Sequence, residues 1–444
     1  MSLDAIQEFI MTRARRSNLR SVVAGATVTL VAVGALVACS SSGGGGASSG
    51  GTTITLTHGY TDAEATELTA LAKQWNTANP DAKVVLAFNG GNDSALQKTV
   101  AGFAAGNYPD IAYEYGSSSA QLATQPKLVD LTEKVKASGF NWDDFYPSEQ
   151  QAASVNGKVV GIPALVDNLS LVYNKKLFTA AGLAPPTNDW TWQDFRTAAA
   201  KLTNAGQHQY GWSYVNDGSE DTVWRYLAML WQAGGDLLTS DNSKPAFDSP
   251  AGLAALQQLH DMAVTDKSVY LDTGNQNYLN LFNGGKIAML WTGPWDLSSI
   301  NSDVQYGVAY LPSDNGDHET ISGPDLYMLF DRSAARTDTA VKFITWLTSP
   351  TIHLQFATAT GDLPVRKSET TLPGYKTFLT KYPAEQVFVD NLDNVKHVRP
   401  NIPQYAQVST AVGQMVQSVL LGQATPEAAI KSGASAVTAA LAGS

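Results

Sequence analysis

The chain contains 444 residues but only one cysteine, Cys39. Because there is no second thiol, an intramolecular disulfide is excluded and the folded part depends on its buried core. Histidine is also scarce, and no two of the six histidines have the i, i+4 spacing of a helical metal site. The sequence motifs of zinc proteases, serine hydrolases and P-loop NTPases are absent as well. The sequence therefore gives no positive sign of catalysis, and it predicts neither a metal nor another cofactor.

Positive charge is in deficit, since 29 Lys and Arg stand against 40 Asp and Glu, for a net charge of −11. An acidic surface is repelled by a phosphate backbone, so nucleic acid is not an expected partner. After residue 38 the sequence also lacks any uncharged apolar run close to the ~20 residues that a membrane-spanning helix requires.

The N-terminal segment has the layout of a secretory signal. A basic region with four arginines precedes an uncharged run, rich in Ala and Val, over residues 22–37. The sequence Leu-Val-Ala-Cys at 36–39 resembles a bacterial lipobox, in which the cysteine is lipidated and the chain is cut before it. We therefore expect residues 1–38 to be a lipoprotein signal peptide and Cys39 to carry a membrane anchor. The alternative, a transmembrane helix with an incidental cysteine, is disfavoured because the run is shorter than a membrane span.

Residues 39–53 consist almost entirely of Ser, Gly and Thr after the cysteine. Such a composition behaves as a flexible coil, so we expect this segment to be a tether between the lipid and a folded body. The remaining residues, 54–444, are sufficient for two domains of roughly 100–200 residues each.

Strand and helix patterns alternate along this body. Residues 53–57 have the alternation of a strand, residues 63–79 carry apolar side chains at helical spacing, and residues 83–88 resemble a second strand. The same criteria predict further strands at 109–113, 169–175, 287–291 and 306–311, and helices at 93–105, 191–202, 219–233, 250–264, 278–283, 337–347, 351–359 and from Thr425 onward. Strands that alternate with helices indicate an α/β fold with a largely parallel sheet.

Five segments of the body, taken in order, resemble the extracellular solute-binding proteins of ABC importers, in the maltose-binding-protein-like group that binds carbohydrates. They are Asn-Tyr-Pro-Asp-Ile at 107–111, Asp-Asn-Leu-Ser-Leu-Val-Tyr-Asn-Lys at 167–175 with Trp-Thr-Trp at 190–192, Gly-Lys-Ile-Ala-Met to Gly-Pro-Trp at 285–295, Gly-Asp-Leu-Pro-Val-Arg-Lys-Ser at 361–368, and Arg-Pro-Asn-Ile-Pro-Gln-Tyr at 399–405. Each segment is weak alone, but their order and spacing, together with the lipobox, make the resemblance specific.

The resemblance implies a two-lobe, type II periplasmic-binding-protein fold with hinged lobes and a ligand cleft between them. We place the three crossings near 164–167, 322–325 and 362–365, so lobe 1 comprises 54–165 and 324–362, and lobe 2 comprises 166–323 and 363–444. Hinge closure over the ligand would present a closed form to the membrane permease of the transporter. A monomer on the outer face of the bacterial cell membrane is the family default.

A sugar offers hydroxyl groups and an apolar C–H face, so its site needs carboxylates, amides or arginine together with aromatic rings. By resemblance, Trp295 is the expected stacking ring, and Asp167 stands where the family has a carboxylate that binds hydroxyl groups. Glu114 and Tyr115 end a predicted strand, where open α/β sheets bind ligands, although the family has a tryptophan near Glu114. The further candidates are Trp224 and Asp221, His58 and Tyr60, Asn92 and Asp93 (alternatively a helix cap), Gly323 for close backbone approach, and Arg366 and Arg399 (alternatively an inter-lobe ion pair).

The leading prediction is therefore a lipid-anchored protein that binds a sugar or oligosaccharide for an ABC importer. A glycerophosphodiester remains open as the ligand, since Arg366 and Arg399 could meet a phosphate. Two other classes also remain open, a secreted glycoside hydrolase with a pair of carboxylates and an adhesin or structural surface lipoprotein.

Overall fold

The computed structural model describes residues 51–274 and 277–443, without the side chains of Asn92 and Asp93. Cys39, the predicted signal and nearly all of the predicted tether lie outside the described residues. The first described element, a strand, begins at Thr52.

The strands and helices follow one another in α/β fashion. In chain order the strands are β1 Thr52–His58, β2 Ala82–Phe88, β3 Ile111–Tyr115, β4 Ser154–Val155, β5 Lys158–Val159, β6 Gly161–Leu165, β7 Ser170–Asn174, β8 Tyr210–Val215, β9 Val269–Asp272, β10 Ile287–Thr292, β11 Tyr306–Ala309 and β12 Asp325–Leu329. The helices are α1 Asp62–Ala78, α2 Asn92–Ala104, α3 Ser119–Ala123, α4 Thr132–Val135, α5 Pro147–Ala152, α6 Lys175–Ala180, α7 Trp192–Leu202, α8 Glu220–Gln232, α9 Pro250–His260, α10 Asn277–Asn283, α11 Ala334–Leu347, α12 Pro350–Thr360, α13 Pro373–Lys381, α14 Glu385–Asn391, α15 Tyr405–Leu420 and α16 Pro426–Leu441.

The described residues form two five-stranded sheets and one two-stranded sheet. The first large sheet has the order β2-β1-β3-β12-β6, with β1 parallel to β2 and β3, and β12 antiparallel to both of its neighbours. The second has the order β11-β7-β10-β8-β9, with β8 parallel to β9 and β10. Each sheet thus combines a parallel βαβ portion with antiparallel strands, and this confirms the predicted α/β fold with two lobes.

Local sequence signals explain where several helices begin. Thr191 and Asp194 form a reciprocal capping box at the start of α7, and the Thr425 hydroxyl accepts a hydrogen bond from the Ala428 N–H with Pro426 in the first helical position. Ser219 caps α8 by accepting a hydrogen bond from the N–H of Asp221. The predicted starts of α7 and α16 are confirmed.

Aromatic packing stabilises the second sheet. The Trp212 and Trp291 rings lie 4.3 Å apart at their centroids, and Phe195 of α7 contacts Trp212 edge-on at 5.2 Å. All three side chains are almost fully buried. Since each such ring removes roughly 150–250 Å² from water, this cluster is a major part of the core and holds β8 and β10 rigid beneath the helix that follows β8.

The chain between β6 and β7 runs beside the chain that leads into β12. The N–H of Leu169 donates to the carbonyl of Ile321 at 3.2 Å, and the Thr320 hydroxyl donates to the carbonyl of Leu169 at 2.7 Å. Asn391 then donates to the Leu169 carbonyl and to the Ser170 hydroxyl, at 3.0 Å each. These bonds join the first two crossings to the C-terminal part of the chain.

Residues 366–368 follow the predicted third crossing at 362–365 and contact residues 140–144. Arg366 donates to backbone carbonyls at 140 and 141, and Ser368 bonds to Asp144, so this segment packs on the first lobe. We propose residues 399–405 as the crossing, because Asn401 bonds to the carbonyl of Ser154 in the first lobe while Arg399 bonds to Glu220 in the second. The other lobe boundaries remain predictions.

Candidate ligand-binding cleft

Asp167 and Gly323 meet where the first two crossings run side by side. The N–H of Gly323 donates to Asp167 Oδ1 at 2.5 Å, and the Asp167 side chain is buried. Burial raises the pKa of Asp167 to about 7, although the Gly323 hydrogen bond and the charge of Arg399 act in the opposite direction. The two predicted residues therefore form one contact at the floor between the lobes.

Gly323→Ala is expected to break this contact. A Cβ atom at position 323 would lie 2.8 Å from Asp167 Oδ1, closer than real Cβ atoms approach an oxygen, so the carboxylate must move. Loss of one buried hydrogen bond to a charged group corresponds to about 1–3 kcal/mol. We expect urea unfolding of the variant to show a free energy of unfolding lower by that amount. We also expect ligand affinity to weaken by roughly tenfold, because 1.4 kcal/mol corresponds to a factor of ten in a binding constant. Gly206→Ala, whose Cβ would have only the Asn204 side chain nearby, is the matched control, and equal effects of the two changes would contradict this role.

Arg399 lies on the same floor and is paired with a carboxylate of the second lobe. Its Nη1 donates to Glu220 Oε1 at 2.9 Å, and Glu220 also accepts hydrogen bonds from the hydroxyls of Tyr405 and Ser409. Burial alone would lower the pKa of Arg399, but the charge of Glu220 raises it above the ordinary value. The Nη2 of this buried guanidinium has no hydrogen-bond partner among the described residues, so it is available to a ligand.

Two buried carboxylates that were not predicted, Glu149 and Asp325, surround this point. Glu149, on α5, is fully buried, and burial together with the charges of Asp167 and Asp325 raises its pKa well above the ordinary value. Asp325, at the start of β12, accepts a hydrogen bond from the Tyr113 hydroxyl, and burial followed by the charge of Asp167 raises its pKa as well. These carboxylates can accept hydrogen bonds from the hydroxyl groups of a ligand.

The first lobe adds an aromatic wall next to the carboxylates. Tyr60 is buried against Tyr113, with ring centroids 4.2 Å apart, and Tyr113 reaches Asp325 through its hydroxyl. His58, at the end of β1, is buried 6.0 Å from the Tyr60 ring, and burial lowers the pKa of its imidazole. The structure thus places His58 and Tyr60, as predicted, at the carboxyl edge of the first sheet.

Glu114 occupies a separate position in β3. The Thr99 hydroxyl donates to Glu114 Oε1 at 2.7 Å, while Oε2 is buried without a partner among the described residues. Burial raises the pKa of Glu114 to about 8, so this carboxyl is largely protonated at neutral pH. The neighbouring Tyr115 is partly buried and pairs with Asp325 across the sheet.

The second lobe contributes two tryptophans that face each other. The rings of Trp224, on α8, and Trp295 lie 5.7 Å apart at their centroids with planes tilted by 49°. Trp224 is buried, whereas Trp295 is only partly buried. Asp221, one turn before Trp224, forms an ion pair with the buried Arg225 and lies within electrostatic range of Asp167. Trp224 therefore lies on the same helix as a carboxyl group that interacts with Asp167.

The turn that carries Trp295 is fixed by a glycine before the ring and by hydrogen bonds to an aspartate after it. A Cβ atom at Gly293 would lie 1.8 Å from the Trp295 ring, so only glycine lets the ring fold over the backbone here. Asp296 accepts hydrogen bonds from Thr292 at 2.5 Å and from the Tyr278 hydroxyl at 2.8 Å. The indole therefore has a defined position, as a stacking platform requires.

Arg366 bonds to backbone carbonyls rather than to the residues of the floor. Its Nε donates to the Thr348 carbonyl at 2.6 Å, and its Nη1 donates to carbonyls at 140 and 141. The guanidinium also covers the Phe145 ring at 3.8 Å from the centroid. These contacts make Arg366 a scaffold residue that joins 366–371 to the first lobe, and they leave Arg399 as the predicted arginine of the cleft.

The remaining predicted residues are Asn92 and Asp93, whose backbone begins α2 and whose side chains lie outside the described residues. Of the two carboxyl groups that the prediction missed, Asp325 lies within the predicted crossing at 322–325, so a polar residue in that segment was the available signal. Glu149 had no signal, because it is an isolated glutamate in a short helix.

The described part of the chain contains no set of three or more His, Cys, Asp or Glu side chains arranged to hold a metal ion. Within the same residues, no helix combines the length and apolar character needed to cross a membrane.

Comparisons with known proteins identify the family of this chain. The family model for bacterial extracellular solute-binding proteins matches residues 60–352, and the chain belongs to this family. The sn-glycerol-3-phosphate-binding periplasmic protein UgpB of Pectobacterium atrosepticum is 25% identical over 388 residues, which cover 82% of this chain and 86% of that protein.

Two solved structures share the fold and more than a quarter of the aligned sequence. The cyclic alpha-maltosyl-1,6-maltose binding protein of Arthrobacter globiformis has a TM-score of 0.76 and 28% identity, covering 89% of this chain and all of that one. An ABC transporter solute-binding protein of Thermotoga lettingae, bound with alpha-D-tagatose, has a TM-score of 0.78 and 29% identity, covering 88% of this chain and 99% of that one. The family and the fold of these structures are those of extracellular solute-binding proteins.

Proposed function

We propose that this protein captures a sugar or oligosaccharide between its lobes and delivers it to the permease of an ABC importer. One observation carries the proposal. Buried carboxyl groups with unpaired oxygens and an arginine with a free donor line the floor, and a tryptophan pair of the second lobe includes Trp224, one turn after Asp221, which lies within electrostatic range of Asp167. Such a site can bind the hydroxyl groups and the apolar face of a saccharide at once. The saccharide ligands of the Arthrobacter and Thermotoga relatives support this class.

In this proposal the ligand stabilises the closed arrangement of the lobes. It contacts Asp167 and Arg399 on the crossings and Trp295 in the second lobe, so it has more contacts when the lobes are closed. The permease then receives the closed form. Cys39 would hold the protein, as a monomer, at the outer face of the cell membrane through its lipid.

A glycerophosphodiester is the second candidate, because it shares the glycerol phosphate group of the ligand for which the Pectobacterium relative is named. The shortage of cations in the cleft argues against it. A phosphate would have to enter beside Glu149, Asp167 and Asp325, and Arg399 would be the only guanidinium facing it within the described residues, since Arg366 is bonded to the scaffold. Removing an anion from water into such surroundings is costly.

Trp295→Ala is expected to abolish or strongly weaken binding, because the ring provides stacking area and closes one side of the site. A ligand at about 100 times its dissociation constant stabilises a protein by roughly 2.7 kcal/mol. A thermal-shift screen of mono-, di- and oligosaccharides and glycerophosphodiesters with the purified protein should therefore show a clear upward shift for the bound class, and the variant should lose it.

Trp190→Ala is the matched control, since Trp190 is also partly buried but packs against Phe178. Equal loss of binding in both variants would contradict the stacking role. A shift with phosphodiesters alone would replace the sugar proposal by the second candidate.

A further inference from the structure

Phe88, the last residue of β2, is the most exposed aromatic side chain among the described residues. It is 62% exposed, whereas every other aromatic residue in that part of the chain is buried or partly buried. A single exposed apolar residue is common at a protein surface and indicates no function by itself. The position of Phe88 relative to the cleft therefore decides what its ring can do.

The end of β2 belongs to the edge of the first sheet from which the chain passes toward the second lobe. Phe88 pairs with His58, so the parallel strands β2 and β1 end together. β12 begins at this edge, since Asp325 pairs with Tyr115 at the end of β3 and with Leu165 at the end of β6. Open α/β sheets bind ligands at the carboxyl ends of their parallel strands. Phe88 thus lies at the edge where the first two predicted crossings meet the sheet.

A row of aromatic rings leads from Phe88 inward to the floor. The Phe88 ring lies 6.0 Å from the His58 imidazole with the planes at 66°, and the imidazole lies 6.0 Å from the Tyr60 ring. Tyr60 contacts Tyr113 at 4.2 Å, and the Tyr113 hydroxyl donates to Asp325. The three inner rings are buried, and the outermost one is open. Phe88 is therefore the accessible end of the aromatic wall of the first lobe.

Polar groups stand next to the exposed ring. The Asn89 N–H donates to the His58 carbonyl at 2.8 Å, and the Lys98 ammonium donates to the Asn89 carbonyl at 2.7 Å. Lys98 is exposed, and an ammonium group has three donors, so it can also donate to a hydroxyl group of a ligand. An open ring close to such a donor matches the apolar C–H face and the hydroxyl groups of a sugar.

We propose that the ligand is an oligosaccharide and that Phe88 is the stacking platform for an outer sugar residue, while the inner residue lies on the floor beside Asp167. The proposal rests on the function proposed above and narrows its ligand class. A monosaccharide on the floor leaves the Phe88 ring in water. A chain that continues along the aromatic wall covers the ring, and burial of the two apolar surfaces favours its binding. Phe88 thus makes the cleft select its ligand by chain length.

The experiment measures affinity against chain length by titration calorimetry of the full protein. The probes are glucose and galactose with their oligosaccharides of two, three and four residues, in α-1,4, α-1,6 and β-1,4 linkages. For at least one series we expect the affinity to rise by about tenfold at the length that reaches Phe88, since one aromatic contact and its buried area suffice for such a step. Affinity that does not increase with length in any series would overturn the proposal.

Phe88→Ala should remove this increase. The variant should bind the long saccharides about tenfold more weakly than the wild type and the monosaccharide equally well, because the contacts of the inner residue are unchanged. Phe88→Tyr keeps a ring at the position and should restore the increase. Val85→Ala is the matched control, since Val85 is also exposed on β2 but three residues away and hence on the opposite face of the strand. An increase that survives Phe88→Ala, or that Val85→Ala removes equally, would refute stacking on Phe88.

Stability measurements separate a ligand contact from a structural role. A side chain that is 62% exposed contributes little to the core, so Phe88→Ala should unfold at the same urea concentration as the wild type. Weaker binding of every saccharide by the same factor, the monosaccharide included, would place the ring against the inner residue and overturn the assignment to an outer one.

Two further outcomes distinguish the failure of this inference from the failure of the proposed function. If saccharides bind and Trp295→Ala removes that binding while Phe88→Ala changes the affinity for none of them, the sugar-binding function holds and the Phe88 inference is wrong. Reduced sugar uptake by cells carrying Phe88→Ala would then identify the ring as a contact of the permease. If glycerol 3-phosphate or glycerophosphocholine binds and no saccharide does, both proposals are wrong.

Discussion

Arg399→Met is expected to lower the free energy of unfolding by about 3–5 kcal/mol, the loss typical when one member of a buried ion pair is removed. Methionine retains much of the side-chain volume, so the effect isolates the charge. The change leaves Glu220 without its guanidinium and removes the cation that faces Glu149, Asp167 and Asp325. Ligand binding should be lost as well, because Nη2 is a free donor of the cleft.

Two comparisons make the Arg399 result specific. Arg332 is exposed and stacks on Tyr108. Arg332→Met should lower the free energy of unfolding by less than about 1 kcal/mol. Adding Glu220→Gln to Arg399→Met should restore part of the stability, because it removes the carboxylate left unpaired. The damage should also be greater at pH 8 than at pH 5, since fewer carboxylates of the floor are ionised at the lower pH. If Arg399→Met unfolded at the same urea concentration as the wild type, the guanidinium would not compensate these charges.

The ligand-free protein is expected to lose stability as pH rises from 5 to 8.5, and Glu114 is the clearest single cause. Its pKa is raised from 4.5 to about 8, so the folded state holds a proton that the unfolded chain releases. The stability from this group is fully present below pH 4.5 and disappears as pH rises through 8. Linkage gives a loss of about 4 kcal/mol between pH 5 and 8.5 from this carboxyl alone. Asp167 and Asp362, with pKa values raised to about 7 and about 6, change stability in the same direction.

Glu114→Gln should remove this part of the pH dependence. The amide oxygen can still accept the hydrogen bond from Thr99, and glutamine does not ionise. Urea unfolding midpoints at pH 5, 7 and 8.5 should therefore fall less steeply for the variant, which should be the more stable protein at pH 8.5. Glu133→Gln, at an exposed position, should follow the wild-type profile. Parallel profiles for wild type and Glu114→Gln would contradict the raised pKa.

Strand prediction succeeded for β1 and also for the fully buried β7 and β10, whereas it failed for β6 and β12. The strand at 53–57 and the helices near 63–79 and 191–202 were predicted within a few residues, because alternation, helical spacing and caps are local signals. The strand β6 was missed, since it is buried throughout and contains Pro163, which counts against a strand interior. The strand β12 was missed for the same lack of alternation.

Some residues of the candidate site could be predicted from a local motif, whereas the contacts of others depend on the folded chain. Trp295, with its preceding Gly293 and Pro294, could be predicted from a contiguous motif, and the turn itself positions the ring. The partners of Arg366 were not predictable, because an arginine in a motif does not reveal which carbonyls will accept its hydrogen bonds. The backbone at 140, 141 and 348 accepts them only after the chain has folded.

The sequence by itself determined the α/β class, most helix starts and the family, since each depends on residues within a few positions of one another. Only the tertiary structure decided which charges meet. Glu149, Asp167, Asp325 and Arg399 are far apart along the chain, and they become neighbours because the crossings bring α5, β12 and the segment at 399–405 to one floor. Burial there raises the pKa of the carboxyl groups, and burial is a property of the assembled fold rather than of any segment.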